Sequence, residues 1–470
     1  MKNTKHIRMN KLLVYFFLLL TLFYSCKDDD PIVEEEDPIA EEILAANAWI
    51  RENMEDLYLW NNKLPEIDDT KEADSEEYFY KLIYEAEDKW SWITDDYASL
   101  AAEFAGVPVT MGFDPAFYLF SDGTSVYIVV NYVYPGSAAE EAGLKRGDII
   151  LSINNTNLNT ENYYTLYSGS AYSVQLGSLS GSTISPSGVS YSLTARVTTT
   201  NPSVHHEVIE TEGHKIGYLA YVEFVAGSND GFLETLDQIF TEFNTTGITD
   251  LIVDLRYNPG GEIDAAAYLA SEIAPANVVS AGEVLVGMRY NDELQSYLEY
   301  SGEEYADYLS YRFLDDVSGN VNLQRVFFLT TSGTASASEL LITGLEPYMD
   351  VVHIGEPTYG KYTGAWVIPD DQEEWAMVPI VLKYANTFGY TDFKDGLTPD
   401  YVLKDDVLAG IPLGDTSDPM VAKAIELITG QTTIVAVAKS SRMKVLGKQL
   451  FPKALELKKN LFVPGPELLR

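Results

Sequence analysis

The segment of residues 326–361 constrains the fold of this 470-residue chain more than any other stretch. Residues 326–330 form a short apolar run of the kind found in buried strands, and a turn rich in Ser, Thr and Gly follows. An apolar helical segment then extends from Ser338 to Pro347, which ends it. A second apolar run, residues 351–354, leads into a loop that contains Gly and Pro. This order of strand, turn, helix, strand and loop predicts an α/β domain.

Ser336 and Lys361 are the two residues of this segment that suggest a reaction. Ser336 lies at the start of the predicted helix, where free backbone N–H groups stabilise negative charge, and the chain returns so that Lys361 can approach it. A serine hydroxyl becomes a good nucleophile only when a neighbour takes its proton. A lysine can take that proton when burial or a positive neighbour lowers its pKa from about 10.4 to roughly 7–8. The alternative is that Ser336 caps the helix and Lys361 is a solvated charge.

Two linked motifs in the segment resemble the catalytic core of the C-terminal processing (tail-specific) serine peptidases. They read Ser-Ala-Ser-Glu at residues 336–339 and Gly-Glu-Pro-Thr-Tyr-Gly-Lys at residues 355–361, and their separation is that of the family. The resemblance implies that Ser336 is the nucleophile and Lys361 the general base, with Glu339 in a supporting role. It also implies a crotonase/ClpP-like α/β catalytic domain, together with a β-rich PDZ domain and a small N-terminal helical domain.

A glycine-rich turn after another buried strand supplies the predicted oxyanion hole. Residues 254–261 follow an apolar run and read Asp-Leu-Arg-Tyr-Asn-Pro-Gly-Gly, which also resembles the peptidase family. Glycines let backbone amides approach a ligand closely, and the loss of one oxyanion donor costs about 3–4 kcal/mol. We therefore assign the amides of Gly260, Gly261 and Ala337 to the oxyanion hole. The alternative is a tight turn without a ligand.

The β-rich part of the chain contains a segment that closely resembles a PDZ domain. Residues 135–148 predict a short helix and a glycine turn, and the strand of residues 149–153 follows. PDZ domains bind a peptide C-terminus as an added strand, and backbone N–H groups hold its carboxylate. The resemblance implies that Met111, Gly112 and Phe113 form the carboxylate loop. The alternative is a PDZ fold that only packs against the catalytic domain.

The N-terminus resembles the signal of a bacterial lipoprotein. Residues 1–25 combine a basic start with an apolar run that is short for a membrane span, and Cys26, the only cysteine, follows. The resemblance implies lipidation of Cys26 and an anchor in the outer membrane of a Gram-negative bacterium, in the periplasm or on the cell surface. The next residues, Lys-Asp-Asp-Asp, resemble the surface-export signal of Bacteroides-type lipoproteins. The alternative is a free thiol beside an uncleaved anchor.

Changes in composition and pattern divide the whole chain into six predicted regions. They are a signal peptide (1–25), an acidic tether (26–40), an N-terminal helical domain (41–106), a PDZ-like domain (107–200), a serine peptidase catalytic domain (208–436) and a basic tail (437–470). Four tryptophans are expected to pack inside the helical domain, with carbohydrate stacking as the alternative: Trp49, Trp60, Trp90 and Trp92. The basic tail either lies on the acidic body or extends away from it.

Charge and motif content limit the partners of the chain. Its formal net charge of −40 argues against duplex nucleic acid as a partner of the folded body. The sequence contains neither metal-ligand spacing nor a phosphate-binding glycine loop, so we expect no metal and no cofactor. The resemblance instead implies unstructured protein or peptide C-termini as substrates, captured by the PDZ-like domain.

The chain departs from the family at the residue that orients the lysine. Many members carry a glutamine four residues after the lysine, and this chain has Ala365 there. Thr358 is then the candidate partner of Lys361, and Glu346 is an additional acidic residue near the end of the helix. A histidine-based triad is a competing mechanism, although none of the five histidines lies in a catalytic motif.

These observations together predict a serine endopeptidase, and the resemblance implies that it cleaves unstructured chains near their C-termini. The lysine takes the proton of the serine, an acyl-enzyme forms, and water activated by the same lysine hydrolyses it. The departure at Ala365 keeps a second function open, that of a non-catalytic surface protein that captures peptides through the same domains.

Overall fold

The computed structural model describes residues 39–431, 447–452 and 461–463. The predicted signal peptide, Cys26 and nearly all of the predicted acidic tether lie outside these residues, as does most of the predicted basic tail. Within the described ranges, no helix has the length and the apolar composition that a membrane crossing requires.

The N-terminal region packs around a small apolar core. Its elements are α1 (Glu41–Leu57), α2 (Ser75–Leu82), β1 (Trp92–Thr94) and α3 (Tyr97–Phe104). Helix α1 buries Ile50, Met54 and Leu57 on one face, in agreement with their helical spacing. Strand β1 pairs with residues 376–378 of the catalytic domain, so the two domains share a sheet. All four tryptophans pack in apolar clusters of this region: Trp49, Trp60, Trp90 and Trp92.

The PDZ-like region is built mainly on antiparallel strands. Its elements are β2 (Val109–Thr110), β3 (Phe113–Leu119), β4 (Val126–Val133), α4 (Ala138–Ala142), β5 (Ile149–Ile153), β6 (Thr156–Asn157), α5 (Tyr163–Tyr167), β7 (Ala171–Ser180), β8 (Thr183–Thr194) and β9 (Arg196–Val197). Helix α4 begins where Ser137 Oγ accepts the N–H of Glu140, and it ends at Gly143, whose φ of 96° lies in the left-handed region. The strand predicted at residues 149–153 is β5.

The predicted catalytic region alternates strands and helices, as an α/β domain does, and its sheets are called the catalytic sheets below. Its first half comprises β10 (Ser203–Thr211), β11 (His214–Tyr221), α6 (Gly231–Thr246), β12 (Asp250–Asp254), β13 (Gly261–Glu262), α7 (Ile263–Ile273), α8 (Ala276–Ser280), β14 (Val284–Tyr290), α9 (Asp292–Tyr300), α10 (Ala306–Leu309) and β15 (Ser310–Arg312). Its second half comprises β16 (Arg325–Thr330), α11 (Ala337–Leu345), β17 (Asp350–Gly355), β18 (Thr363–Ala365), β19 (Ile368–Pro369), β20 (Ala376–Val378), β21 (Ile380–Ala385), β22 (Tyr401–Val402) and α12 (Pro419–Thr429).

Short 3-10 turns and two tail strands complete the described elements. The 3-10 turns are Asn61–Lys63, Asp69–Lys71, Ser228–Asp230, Gly302–Tyr305 and Val407–Ala409. The tail contributes β23 (Gln449–Leu450) and β24 (Leu461–Phe462). Each tail strand joins a sheet of the body, so the described parts of the predicted tail lie on the protein.

The main catalytic sheet brings three loops to one edge. Among the described residues its strand order is β10-β11-β12-β16-β17-β22, and the four central strands run parallel. Helices α6, α7 and α11 contribute to the core on one face, and α12 contributes to the core on the other face. Because parallel strands end at the same edge, the loops after β12, β16 and β17 meet there. These loops carry residues 260–261, Ser336 and Lys361, respectively.

A second catalytic sheet begins at the same edge. In the part of the chain that the structure describes, its order is β13-β24-β18-β21-β14-β15. Strand β13 starts at Gly261, and β18 starts two residues after Lys361. The tail strand β24 lies between them.

Candidate active site

Ser336 occupies a sharp turn between β16 and α11. Its φ of 60° and ψ of −110° are unusual for a residue with a side chain, and such a conformation costs about 1–3 kcal/mol. The residue is fully buried, and its Oγ has no hydrogen-bond partner among the described residues. The hydroxyl therefore makes no capping hydrogen bond to α11, which was the alternative to a catalytic role. The strained turn presents it to the edge of the sheet.

Glu339 joins the serine turn to the lysine loop. Its Oε2 accepts the backbone N–H of Ser336 and that of Lys361, each at 2.8 Å. Its Oε1 accepts the N–H of Gly360 at 2.7 Å and the hydroxyl of Thr358. Burial raises the pKa of Glu339 to about 7, and these four donors oppose that rise because they favour the carboxylate. The two predicted catalytic residues are therefore held together by one buried carboxyl group.

Tyr384 provides a second connection between the same two residues. Its hydroxyl lies 3.1 Å from the carbonyl oxygen of Ser336 and 3.0 Å from that of Lys361, and it donates to them. Tyr384 is buried in β21, a strand that is remote in sequence from both motifs. The sequence offered no signal for this role, because a buried tyrosine in a strand most often only packs.

The side chain of Lys361 is enclosed by the N-terminal region. It is fully buried, and burial lowers its pKa well below the usual value, while the nearby carboxylates of Asp88 and Glu339 act in the opposite direction. The Nζ atom lies 5.8 Å from the centre of the Trp90 ring. This environment favours the neutral amine, which is the form that accepts a proton.

Asp88 is held rigidly beside the lysine. Its oxygens accept the N–H of Trp90 at 2.9 Å, the N–H of Ser91 at 3.0 Å and the hydroxyls of Tyr58 and Ser91. The hydroxyl of Ser91 in turn accepts the N–H of Ile380. Sequence reasoning missed Asp88 and expected the tryptophans to pack, with carbohydrate stacking as the alternative. The Asp-Lys-Trp-Ser run carries no motif that would have indicated a role beside the lysine.

The N–H groups of Gly260 and Gly261 in the glycine turn point in different directions. The N–H of Gly260 donates to Asn258 Oδ1 at 2.9 Å, so its assignment as an oxyanion donor is corrected for this conformation. The backbone of Phe224 pairs with this turn: its N–H donates to the carbonyl of Gly260, and its carbonyl accepts the N–H of Glu262. Since successive residues of a strand point to opposite sides, the N–H of Gly261 points away from Phe224 and toward β24. Gly261 pairs with Leu461 of β24 in this conformation, and its role as an oxyanion donor stays a prediction.

Two further features define the oxyanion region. A Cβ on Gly261 would lie 2.1 Å from the carbonyl oxygen of Phe224, so only glycine allows this close approach. Ala337 is the first residue of α11 and is fully buried, and the first N–H groups of a helix lack partners within the helix. The position of Ala337 is compatible with the predicted role, whereas the amide of Gly261 faces β24 in this conformation.

Thr358 lies in the lysine loop, and Ala365 follows it at the position where the family carries a glutamine. The Thr358 hydroxyl donates to Glu339 and accepts the N–H of Leu397 at 2.7 Å, so it positions the carboxylate, and its role as a partner of Lys361 stays a prediction. Ala365 is buried in β18, and its side chain offers no hydrogen bond. Ala365 therefore cannot orient Lys361 in the way that the glutamine of the family does.

The remaining candidates of the sequence lie elsewhere. Glu346 and His353 line a cavity of about 400 Å³ whose lining includes neither Ser336 nor Lys361. Burial lowers the pKa of His353 to about 4, and its Nε2 contacts the hydroxyl of Thr330. No histidine bonds the Ser336 hydroxyl within the described ranges, so the histidine-based mechanism has no support there. No metal-binding cluster of His, Cys, Asp or Glu occurs in the same residues.

The predicted carboxylate loop of the PDZ-like region is tied into its own domain. Met111, Gly112 and Phe113 are buried or next to the core. The N–H of Gly112 donates to Thr110 Oγ1 at 3.1 Å, and its carbonyl accepts the N–H of Tyr134 at 2.9 Å. In this conformation the amide of Gly112 is thus engaged internally.

A buried ionic network connects the PDZ-like region to the oxyanion turn. Arg146 donates to the carbonyl of Ile411 at 2.9 Å, to that of Asn131 at 3.0 Å and to Asp405 at 2.7 Å. Arg256 also donates to Asp405, at 2.9 Å. The two guanidinium groups share Oδ1 of one carboxylate, so the position of the PDZ-like region is coupled to the residue that opens the glycine turn.

Comparison with known proteins agrees with this architecture. Sequence profiles match the chain for peptidase family S41 at residues 215–403, for the peptidase S41 N-terminal domain at residues 45–92 and for a PDZ domain at residues 129–173. A structure assigned to an S41 protease from Bacteroides fragilis has 27% sequence identity and a TM-score of 0.67, and the match covers 81% of this chain and 97% of that chain.

Curated relatives give the same result at lower coverage. A carboxyl-terminal-processing protease from Picosynechococcus sp. is 26% identical over 313 residues, which cover 65% of this chain and 68% of the relative. A carboxyl-terminal-processing protease from Synechocystis sp. is 26% identical over 304 residues, which cover 64% of each protein. The chain thus spans about two thirds of the length of these relatives.

The fold and the matched domains define a serine-type peptidase that carries a PDZ domain and an N-terminal helical domain. Residues 215–403 are a peptidase S41 domain, and residues 45–92 are an S41 N-terminal domain. This confirms the family and the fold class that the motifs at residues 336–339 and 355–361 predicted.

Proposed function

We propose that the protein is a serine endopeptidase that cleaves unstructured protein or peptide chains near their C-termini through Ser336 and Lys361. The observation that carries this proposal is the shared carboxylate of Glu339, which bonds the backbone N–H of both residues at 2.8 Å. The names of the relatives, carboxyl-terminal-processing proteases, support the choice of substrate.

The proposed reaction begins with the neutral amine of Lys361. This amine takes the proton of the Ser336 hydroxyl while Oγ attacks the substrate carbonyl. The N–H groups of Gly261 and Ala337 stabilise the negative oxygen of the tetrahedral intermediate. The lysine ammonium then protonates the leaving amine, the C–N bond breaks, and an acyl-enzyme remains. Water activated by the same lysine hydrolyses the ester and restores Ser336.

Substrate capture by the PDZ-like region is the second part of the proposal. Strand β3 is the outermost strand that the PDZ-like region itself supplies to its sheet, and residues 449–450 of the tail pair with its outer side as an antiparallel strand. An edge that accepts one extended segment has the geometry for another. The shared carboxylate of Asp405 then links peptide capture to the oxyanion turn through Arg146 and Arg256.

The proposed location rests on the sequence pattern alone. The short apolar leader and Cys26 support a lipid anchor in the outer membrane of a Gram-negative bacterium. The test is metabolic labelling with a radioactive fatty acid: the parent chain incorporates the label, and Cys26→Ser does not.

The catalytic proposal is tested on a chain that begins at Lys27. Several unfolded proteins are incubated with it between roughly pH 6 and pH 9, the range expected for a lysine base of lowered pKa, and the fragments are identified by mass spectrometry. Ser336→Ala and Lys361→Ala should abolish cleavage. Ser332→Ala, at an exposed serine of the same turn, and Lys394→Ala, at an exposed lysine, should retain it.

Two outcomes would overturn the proposal. Cleavage that survives in Ser336→Ala means that another residue is the nucleophile. If neither the parent nor Val463→Pro, which weakens the pairing of the tail with Ala365, cleaves any substrate but the chain still binds peptides, the chain is the peptide-capturing protein that Ala365 kept open as an alternative.

A further inference from the structure

The tail strand β24 fills a gap between the two catalytic loops. One side of the gap is β13, which starts at Gly261, and the other is β18, which starts at Thr363. We call this gap the strand slot. Since β13 and β18 are joined in the sheet only through β24, removal of the tail would leave two unpaired strand edges facing each other.

The tail binds both walls of the strand slot through its main chain. Leu461 pairs with Gly261 and Phe462 pairs with Glu262, in parallel register. Phe462 also pairs with Ala365, and the N–H of Val463 donates to the carbonyl of Ala365 at 3.0 Å. Addition of a strand to exposed edges is a general way to bind an extended peptide, because the main chain supplies the hydrogen bonds.

The side chains of the tail are also accommodated. The ring of Phe462 meets that of Phe104 edge to face, with 4.8 Å between the ring centres, and Val463 is buried. Phe462 lines a cavity of about 300 Å³. The lining of this cavity also includes Gly261, apolar side chains such as Leu100 and Phe104, and three carboxylates, those of Asp96, Glu103 and Glu223.

The same tail covers the peptide-binding edge of the PDZ-like region. Gln449 pairs with Tyr118 and Leu450 pairs with Phe117, antiparallel to β3. The side chain of Leu450 packs against the core of that region. Two short segments of one tail therefore occupy two strand edges, one beside the predicted oxyanion turn and one in the PDZ-like region.

The opposite charges of the tail and the body favour binding of the tail to the body. From residue 439 onward the sequence has only two acidic residues, Glu456 and Glu467, against a much larger basic set: Lys439, Arg442, Lys444, Lys448, Lys453, Lys458, Lys459 and Arg470. The whole chain carries a formal net charge of −40, so the tail is attracted to the body. Because the tail is tethered, it competes with free peptide at a high effective concentration.

We propose that the C-terminal tail, through residues 447–452 and 461–463, is an intramolecular competitor that occupies the strand slot and the β3 edge and holds the peptidase in an inhibited state. The inhibition rests on the proposed peptidase function, whereas the occupancy does not. Peptide substrates gain access when the tail is displaced.

The activity test uses paired substitutions in chains that begin at Lys27. Val463→Pro removes the N–H that bonds Ala365, and Val463→Ala keeps it. Phe462→Glu places a carboxylate beside the acidic wall of the cavity, and Phe462→Leu keeps an apolar side chain. We expect Val463→Pro and Phe462→Glu each to raise kcat/KM for an unfolded protein roughly tenfold, as loss of a tethered competitor should. Val463→Ala and Phe462→Leu should stay near the parent value.

The binding test separates this inference from the peptidase function. A fluorescent synthetic peptide of residues 456–466 is titrated into Ser336→Ala, with and without Val463→Pro, and anisotropy is measured. Tighter binding by roughly tenfold in the double variant supports occupancy by the tail, even if no form of the protein cleaves a substrate. Equal affinity in both forms overturns the inference. An active parent whose kcat/KM does not change in Val463→Pro or Phe462→Glu also overturns it, and leaves the peptidase proposal intact.

Discussion

Glu339 Oε2 accepts the backbone N–H of Lys361 at 2.8 Å, so a carboxylate on the nucleophile helix fixes the start of the segment that carries the base. The same oxygen accepts the N–H of Ser336, and the whole group is buried. A buried carboxylate is stable only when its oxygens are bonded, and here four donors surround it. The site is therefore organised by a residue that does not itself react.

Glu339→Gln should reduce kcat about 10- to 100-fold with a smaller change in KM. In the variant, the side-chain NH2 group replaces one carboxylate oxygen and faces N–H or O–H groups that need an acceptor. These hydrogen bonds are lost, so the serine turn and the lysine loop separate slightly. The loss of unfolding free energy should be about 1–3 kcal/mol. Steady-state kinetics and a denaturant titration measure both quantities. Glu346→Gln, at the other end of α11, is the control and should keep the parent kcat; an unchanged kcat in Glu339→Gln would contradict this role.

Asp88→Asn should move the acidic limb of the pH–rate profile toward lower pH. The negative charge of Asp88 favours the ammonium form and so raises the pKa of Lys361, in opposition to burial. Removal of the charge lowers that pKa, and the amine then becomes neutral at lower pH. The profile of kcat/KM measures the shift. Asp95→Asn changes an exposed carboxylate and should leave the profile in place. A limb that stays fixed, or moves toward higher pH, would count against Lys361 as the titrating base.

The sequence predicted the residues that lie within two short motifs. Ser336, Glu339 and Lys361 are close in sequence to apolar runs that identify β16, α11 and β17, so parallel strand order alone brings their loops together. The same reasoning located the glycine turn after β12. Local pattern and strand order were sufficient here because every element of this unit is consecutive in the chain.

The sequence did not predict contacts that depend on distant segments or on the direction of a single peptide plane. Asp88 and Tyr384 reach the lysine loop from a different domain and from β21, and neither lies in a motif. The choice between Gly260 and Gly261 depends on which N–H the side chain of Asn258 accepts. Charge alone left the position of the tail open, because it carries no information on strand pairing.

Arg146→Lys should weaken both the folded state and catalysis. The guanidinium group of Arg146 bonds two carbonyls and Asp405, and a lysine ammonium cannot span the same partners. We expect a loss of about 1–3 kcal/mol of unfolding free energy and a lower kcat/KM, because the glycine turn loses part of its support. Thermal unfolding and peptide cleavage measure the two effects. Arg196→Lys, in an exposed ion pair with Glu141, should change neither; equal behaviour of the two variants would contradict the coupling.

Glu272→Gln should flatten the dependence of stability on pH. Burial, together with the neighbouring carboxyl group of Asp237, raises the pKa of Glu272 to about 9. The unfolded chain has a pKa near 4.3 for this group, so above that value the folded state binds more protons than the unfolded state. Stability from Glu272 is then fully present at acidic pH and is lost as the pH rises toward 9. Gln keeps the shape of the protonated acid without titrating.

Denaturant titrations at pH 5 and at pH 8 measure this effect. Between pH 5 and pH 8, the unfolding free energy of the parent should fall by about 2–4 kcal/mol more than that of Glu272→Gln. The reason is that folding of the parent takes up a proton at Glu272, and this uptake becomes less favourable as the pH rises. Glu234→Gln, at an exposed position of α6, is the matched control and should follow the parent. Equal losses of unfolding free energy in the parent and in Glu272→Gln would contradict this prediction. They would mean that Glu272 is ionised in the folded protein as it is in the unfolded chain.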